Sequence, residues 1–222
     1  MGSEMCIRDR SKEELIELLE ARINYNRELE GLKSIENAVY SVFPETIGTT
    51  NLDNWLIDRT LSRPRELIQL SRYYTENLDQ VEPSDKKLKD SEPEYSSWKL
   101  DDLCAEYSNQ YQNLSTLTAY WKTNFFRRKY HLKREEIEEM VLQLLSETPI
   151  DSEWFNVLVE NTDINGLLTI LYEIGFLGDF TLGGSGGSTT QYSYQGFHEP
   201  RFEEVQVHPC FRRAVKTVER IR

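Results

Sequence analysis

Arg63, Pro64 and Arg65 place two guanidinium groups around the opening of a helix, a combination suited to phosphate chemistry. Proline fits a first helical turn, because the amide it lacks is unpaired there in any case. Helix N-termini attract phosphates, and arginine's planar fork matches two phosphate oxygens at once. Without such a ligand, two cations at the positive end of a helix dipole cost roughly 0.3–1 kcal/mol each. The competing reading is structural: Arg63 and Arg65 pair with Asp58 and Glu66. Leu67, Leu70, Tyr74 and Leu78 follow at helical spacing and define a buried face, while Arg65, Gln69 and Arg72 fall on another.

A second candidate set is basic. Lys122, Arg127, Arg128, Lys129, Lys133 and Arg134 lie in a run without a single acid, interleaved with Phe125, Phe126 and Tyr130. Cations with aromatics among them suit a phosphate backbone and its bases, so these six are the candidate nucleic-acid contacts. Arg212, Arg213, Lys216, Arg220 and Arg222 form a further basic cluster. Against DNA reading, the helix expected over 163–175 holds no Lys or Arg and includes Asp163 and Glu173. A reader of the major groove needs such donors. A protein partner or a second copy of the chain is therefore the favoured contact, with nucleic acid the lesser one.

Other chemistry finds little support. His208 and Cys210 lie two apart, but no second pair stands at metal-ligand spacing, so no metal site is expected. His131 and His198 read as isolated surface residues. Asp101-Asp102 and Glu203-Glu204 sit on polar faces without a nucleophile, and no catalytic residue is expected. The glycine-rich run 183–188 has no lysine, so it lacks the GxxxxGK[ST] pattern that cradles nucleotide phosphates. It reads as a mobile wing tip.

Ser62-Arg63-Pro64-Arg65 followed by an amphipathic helix resembles the sensor 2 element in the helical lid of AAA+ and STAND P-loop ATPases. The motif there is usually Gly-x-Pro-Arg; this chain has Ser62 and Arg63 where a glycine is commoner. The run 55–74 is similar to the lid of bacterial and archaeal P-loop ATPases that carry a winged helix after it, and the resemblance covers about 11–80 best. It implies that Arg65 senses the terminal phosphates of a nucleotide, with Arg63 beside it. It implies also that ATP and magnesium are held by a core absent from this chain, so the fragment itself needs no cofactor and has no turnover of its own. Such proteins are often bacterial switches, some serving anti-phage defence. The alternative is a stand-alone winged-helix adaptor that binds nucleic acid or protein.

The elements that must position these residues are mostly helices. Ser11-Lys12-Glu13-Glu14 is a capping box ahead of an apolar stripe of Leu15, Leu19 and Ile23. Short helices over 34–43 and from Leu52 follow, with a polar turn at 45–51 between them. Pro83, Pro93 and mixed charge make 80–97 read as a solvated linker. Beyond it, helices are expected over 98–111, from Ser115, over 133–148, around Trp154 and over 163–175. Strand-like 189–195 and 202–208 would then form a hairpin, giving the order of a winged-helix domain. Pro209 opens a closing helix. The expected fold is mainly α: a helical lid-type bundle over 11–79, the linker, and a winged-helix-like domain over 98–222.

Composition sets the outer bounds. With 222 residues, 38% hydrophobic and 11% aromatic, the chain has enough apolar material for one large or two small cores. Its net charge of −12 opposes strong non-specific binding of nucleic acid by the whole chain. Cysteine use fits a reducing cytoplasm, and no apolar run approaches the roughly 18–20 residues of a membrane span. Glu4 to Arg10 matches a translated sequencing adapter, so 1–10 reads as an artefact with native protein entering near Ser11, the alternative being a genuine tag.

Overall fold

Ser11 starts the first helix as its sequence requires. Its hydroxyl accepts the Glu14 amide at 3.2 Å while the Glu14 carboxylate accepts the Ser11 amide at 2.7 Å. These two bonds satisfy donors that a helix start would otherwise leave unpaired. The computed structural model describes residues 11–78, 82–147, 149–183 and 187–218. The leader 1–10, Thr148, the glycine-rich centre 184–186, and Arg220 and Arg222 lie outside the described residues. The chain divides into two compact units at 95/96.

In the first unit, α1 (Lys12–Leu29) and α2 (Ala38–Val42) precede a two-stranded antiparallel turn of β1 (Thr46–Ile47) and β2 (Thr50–Asn51). Next come α3 (Leu52–Asp58), α4 (Pro64–Glu76) and the first half of α5 (Asp85–Glu106). Leu15, Leu19, Phe43, Leu52, Leu56, Leu67, Leu70 and Tyr74 form its core. Phe43 stacks on Tyr74 at 4.8 Å, and the Tyr74 hydroxyl donates to the Val42 carbonyl and accepts the Ser84 amide, both at 3.0 Å. The buried ring thus keeps its one polar atom paired. The turn at 45–51 is tighter than expected because Gly48 adopts φ 62°, which suits a two-residue hairpin loop.

The solvated linker expected over 80–97 is not what the structure has from Asp85 onward. That stretch is helix α5, which runs unbroken through Pro93. Its apolar anchors are few because it buries polar groups instead. Leu88 and Tyr95 are buried, and so are Ser91, Glu92, Ser96 and Lys99. Each of these four has a partner: Lys87 O for Ser91, Arg59 for Glu92, Cys210 O for Ser96 and Asp102 for Lys99. Composition alone reads such a helix as solvated, because it does not show the partners, two within α5 and two from distant segments, that permit the burial of these polar side chains.

In the second unit α6 (Leu114–Asn124), α7 (Arg134–Glu147), α8 (Glu153–Asn161) and α9 (Ile164–Glu173) pack with a four-stranded antiparallel sheet. The sheet contains β3 (His131–Lys133), β4 (Leu177–Thr181), β5 (Thr189–Gln191) and β6 (Glu204–Val207), ordered β3-β6-β4-β5. A short helix α10 (Pro209–Arg212) follows. Helices then a hairpin is the winged-helix order, but the hairpin differs from expectation. β5 and β6 are not neighbours: β4 lies between them, pairing Phe180 with Thr190 on one side and Asp179 with Val205 on the other. Gly178 permits this, since a Cβ there would meet the Tyr192 ring at 2.5 Å. Asn113, not Ser115, takes the N-cap position of α6. The core is aromatic, with Trp121 stacked on Phe176 at 4.2 Å and Phe125 and Phe211 against the same ring.

Candidate functional site

The segment carrying Arg63 and Arg65 is held from below by a buried acid. Arg63 is the N-cap of α4 and offers no side-chain cap. Glu66, three residues on, is buried, and its carboxylate accepts the Leu61 amide ahead of the helix. The other carboxylate oxygen lies 3.8 Å from the Arg63 guanidinium. Glu66 therefore fixes the turn, complements the helix dipole and takes up Arg63, as the structural reading of this pair expected. Arg65 lies exposed on the first turn. Just ahead of it Ser62 adopts φ 54°, a left-handed backbone that favours glycine. Nearby, Arg59 is bound to buried Glu92 at 2.6 Å and lies over the Trp55 ring at 4.0 Å.

The basic set divides. Lys122 lies 3.9 Å from Asp101, and Arg134 is bound to Glu138 and Asn165, so these two have local partners. Arg127, Arg128, Lys129 and Lys133 are exposed, and Phe126 beside them is half open. Phe125, by contrast, is core, and Tyr130 lies under the Arg212 guanidinium at 3.7 Å.

Both histidines read as isolated have carboxylate partners, which corrects that expectation. His131 meets Glu204 across the β3–β6 pair. His198 Nε2 lies 2.7 Å from Asp179 Oδ2, in a cleft of about 820 Å³ bordered also by Phe180, Arg201 and Glu203. Asp179 is buried and accepts the backbone amides of Arg201 and Phe202 as well, so it anchors the 198–202 segment to β4. Spacing gives no sign of this pair; the one clue is a lone acid inside the apolar run 176–180. Tyr172, close by, has its hydroxyl pushed above its usual range by burial first and by the Asp179 charge second.

His208 and Cys210 are structural. The Cys210 amide donates to His208 Nδ1 at 3.2 Å, which makes that nitrogen an acceptor and puts the proton on Nε2, facing the Tyr194 hydroxyl at 2.9 Å. The imidazole caps α10, and both residues are about 1% exposed, out of reach of any substrate. Burial likewise raises the Cys104 thiol above its usual value. Among the described residues, no three His, Cys, Asp or Glu side chains gather as a metal site would need, and no helix is long and apolar enough to cross a membrane.

Residues 13–104 match the family model of the FunZ-associated C-terminal helical domain, which fits a C-terminal domain of a larger protein. The matched stretch begins in α1 and continues through the 85–97 segment almost to the end of α5. No curated protein and no solved structure matches the chain.

Proposed function

We propose that this chain is the C-terminal regulatory part of a P-loop ATPase, its first unit serving as a nucleotide-sensing lid and its second as a relay to a partner. The observation that carries the reading is exposed Arg65, three residues beyond a left-handed Ser62 that stands where the sensor 2 motif commonly has glycine. In this reading its guanidinium pairs with the terminal phosphates of a nucleotide held by an ATPase core outside this chain. The match to a family of C-terminal helical domains supports a larger parent protein. ATP and magnesium belong to that core, and a cytoplasmic, bacterial setting with a role in defence is the analogy that goes with it.

Lid closure on bound nucleotide is a two-state equilibrium that Arg65 biases toward the closed form. The test starts upstream: the parent gene should encode a GxxxxGK[ST] loop ahead of residue 11. In that parent, Arg65→Ala should reduce ATP-dependent protection of the lid from proteolysis, and Arg65→Lys should restore only part of it, because lysine lacks the fork. A parent without the loop, or an Arg65→Ala protein that switches normally, ends the proposal. The 222-residue chain alone should neither turn over ATP nor bind it tightly.

A further inference from the structure

The two basic clusters, far apart in sequence, meet on one surface of the second unit. The Arg127 amide donates to the Lys216 carbonyl at 3.0 Å, and the Val218 amide donates to the Arg128 carbonyl at 2.8 Å. Lys129 and Val218 form a parallel bridge. These bonds bring exposed Arg127, Arg128, Lys129 and Lys216 together, and neither 122–134 nor 208–218 contains an acid. Phe126 lies in their midst with half its surface open, its ring centroid 5.1 Å from the Arg127 guanidinium and 6.0 Å from the Lys216 ammonium. Arg127 itself has a left-handed backbone (φ 61°), an unusual conformation for arginine that the bond to Lys216 holds in place.

We propose that this surface binds single-stranded nucleic acid, with Arg127, Arg128, Lys129 and Lys216 along the phosphates and Phe126 as the platform for one unpaired base. The proposal rests on the second unit alone and is independent of the lid reading. Three features select this partner. A half-open ring ringed by cations offers a π-face on which an unpaired base can stack while its phosphates meet the cations. Helix α9, which stands where a winged helix carries its reader of the major groove, has no Lys or Arg to meet base edges. The chain's overall charge of −12 repels a polyanion at long range, but over a screening length of about 8 Å at physiological salt the local cations decide. Binding should therefore be moderate and steeply dependent on salt.

The experiment uses the whole chain and fluorescence anisotropy with a labelled oligothymidylate of about twenty nucleotides, long enough for a typical single-strand site. Four phosphate contacts give a slope of log affinity against log salt of about −3, or a loss of roughly 50-fold between about 50 and 200 mM. Arg127→Asn with Arg128→Gln should weaken binding by about tenfold or more and flatten the slope by about 1.4. Asparagine is chosen because it tolerates the left-handed backbone; should that protein misfold by circular dichroism, Arg128→Gln with Lys129→Gln gives the same reading. Phe126→Leu should weaken binding roughly 5- to 100-fold with the slope unchanged. Lys33→Ala with Lys86→Ala removes the same charge elsewhere and should change little. The proposal is overturned by no binding at about 50 mM salt, by equal affinity for a duplex of the same length, or by equal competition from polyglutamate, which would mark a surface for an acidic protein. Equal losses in the control and the patch variants would overturn it too.

Discussion

The hydroxyl of Ser96 accepts a hydrogen bond from the Ala214 amide, 2.9 Å away across 118 positions of sequence. It also donates to the Cys210 carbonyl, so one small side chain satisfies two backbone groups around α10. Ser96→Ala leaves both without a partner in a buried setting and should cost about 1–3 kcal/mol. Urea unfolding followed by tryptophan fluorescence measures it; a loss under about 0.5 kcal/mol would mean that water replaces the hydroxyl.

Leu88 tests α5 as core. It is fully buried, in a stretch whose composition reads as a solvated linker. Leu88→Ala should destabilise the protein by about 2–5 kcal/mol, as core truncations do. A true linker residue would give a change within about 0.5 kcal/mol.

Asp179 holds three donors: His198 Nε2 and the amides of Arg201 and Phe202. Asparagine in its place accepts through one oxygen only and presents a donor where a donor already points. Asp179→Asn should cost roughly 1–3 kcal/mol and, more tellingly, expose 196–203 to limited proteolysis. Unchanged cleavage there would show that the segment is held by other contacts.

Alkaline conditions should unfold the chain earlier than its lysines alone would. Burial raises the hydroxyls of Tyr74, Tyr111 and Tyr172 above the usual value of 10.0. Their unfolded forms ionise first, so the folded state holds more protons above that pH. The stabilisation is complete below about pH 10 and is lost as pH rises through the folded values. Urea midpoints between about pH 9 and about pH 11 should fall more steeply in the natural chain than in Tyr74→Phe, which has no proton to lose at that position. Parallel declines would remove Tyr74 from the effect.

Local signals were enough for the elements that their own residues define. The Ser11 capping box, the Pro64 start of α4, and the Asp163 N-cap with Gly175 after α9 all sit where their chemistry points. The mainly helical fold follows from them. What sequence hides is anything settled by a distant partner. Glu92 looks solvated until Arg59 is placed beside it, and Ser96 until the Cys210 carbonyl is, which is why 80–97 reads as a linker. The wing is hidden similarly: 189–195 and 202–208 alternate like partners, but strand 177–181 takes the place between them. At the candidate sites, Arg65 and the basic run were visible by type, whereas the Asp179–His198 pair and the joining of Phe126 with Lys216 depend on long-range pairing.

The sheet of the second unit ends in two short borders. β5 offers three polar residues, Thr189 to Gln191, and β3 offers His131 and Lys133 around a single buried Leu132, each strand bonded to a single neighbour among the described residues. Borders so brief and hydrophilic are poor templates for another chain's backbone. The domain is thereby protected against ribbon-by-ribbon growth into fibrils. Whatever docks here must be recognised through side chains, so its specificity is open to change one residue at a time without rebuilding the sheet.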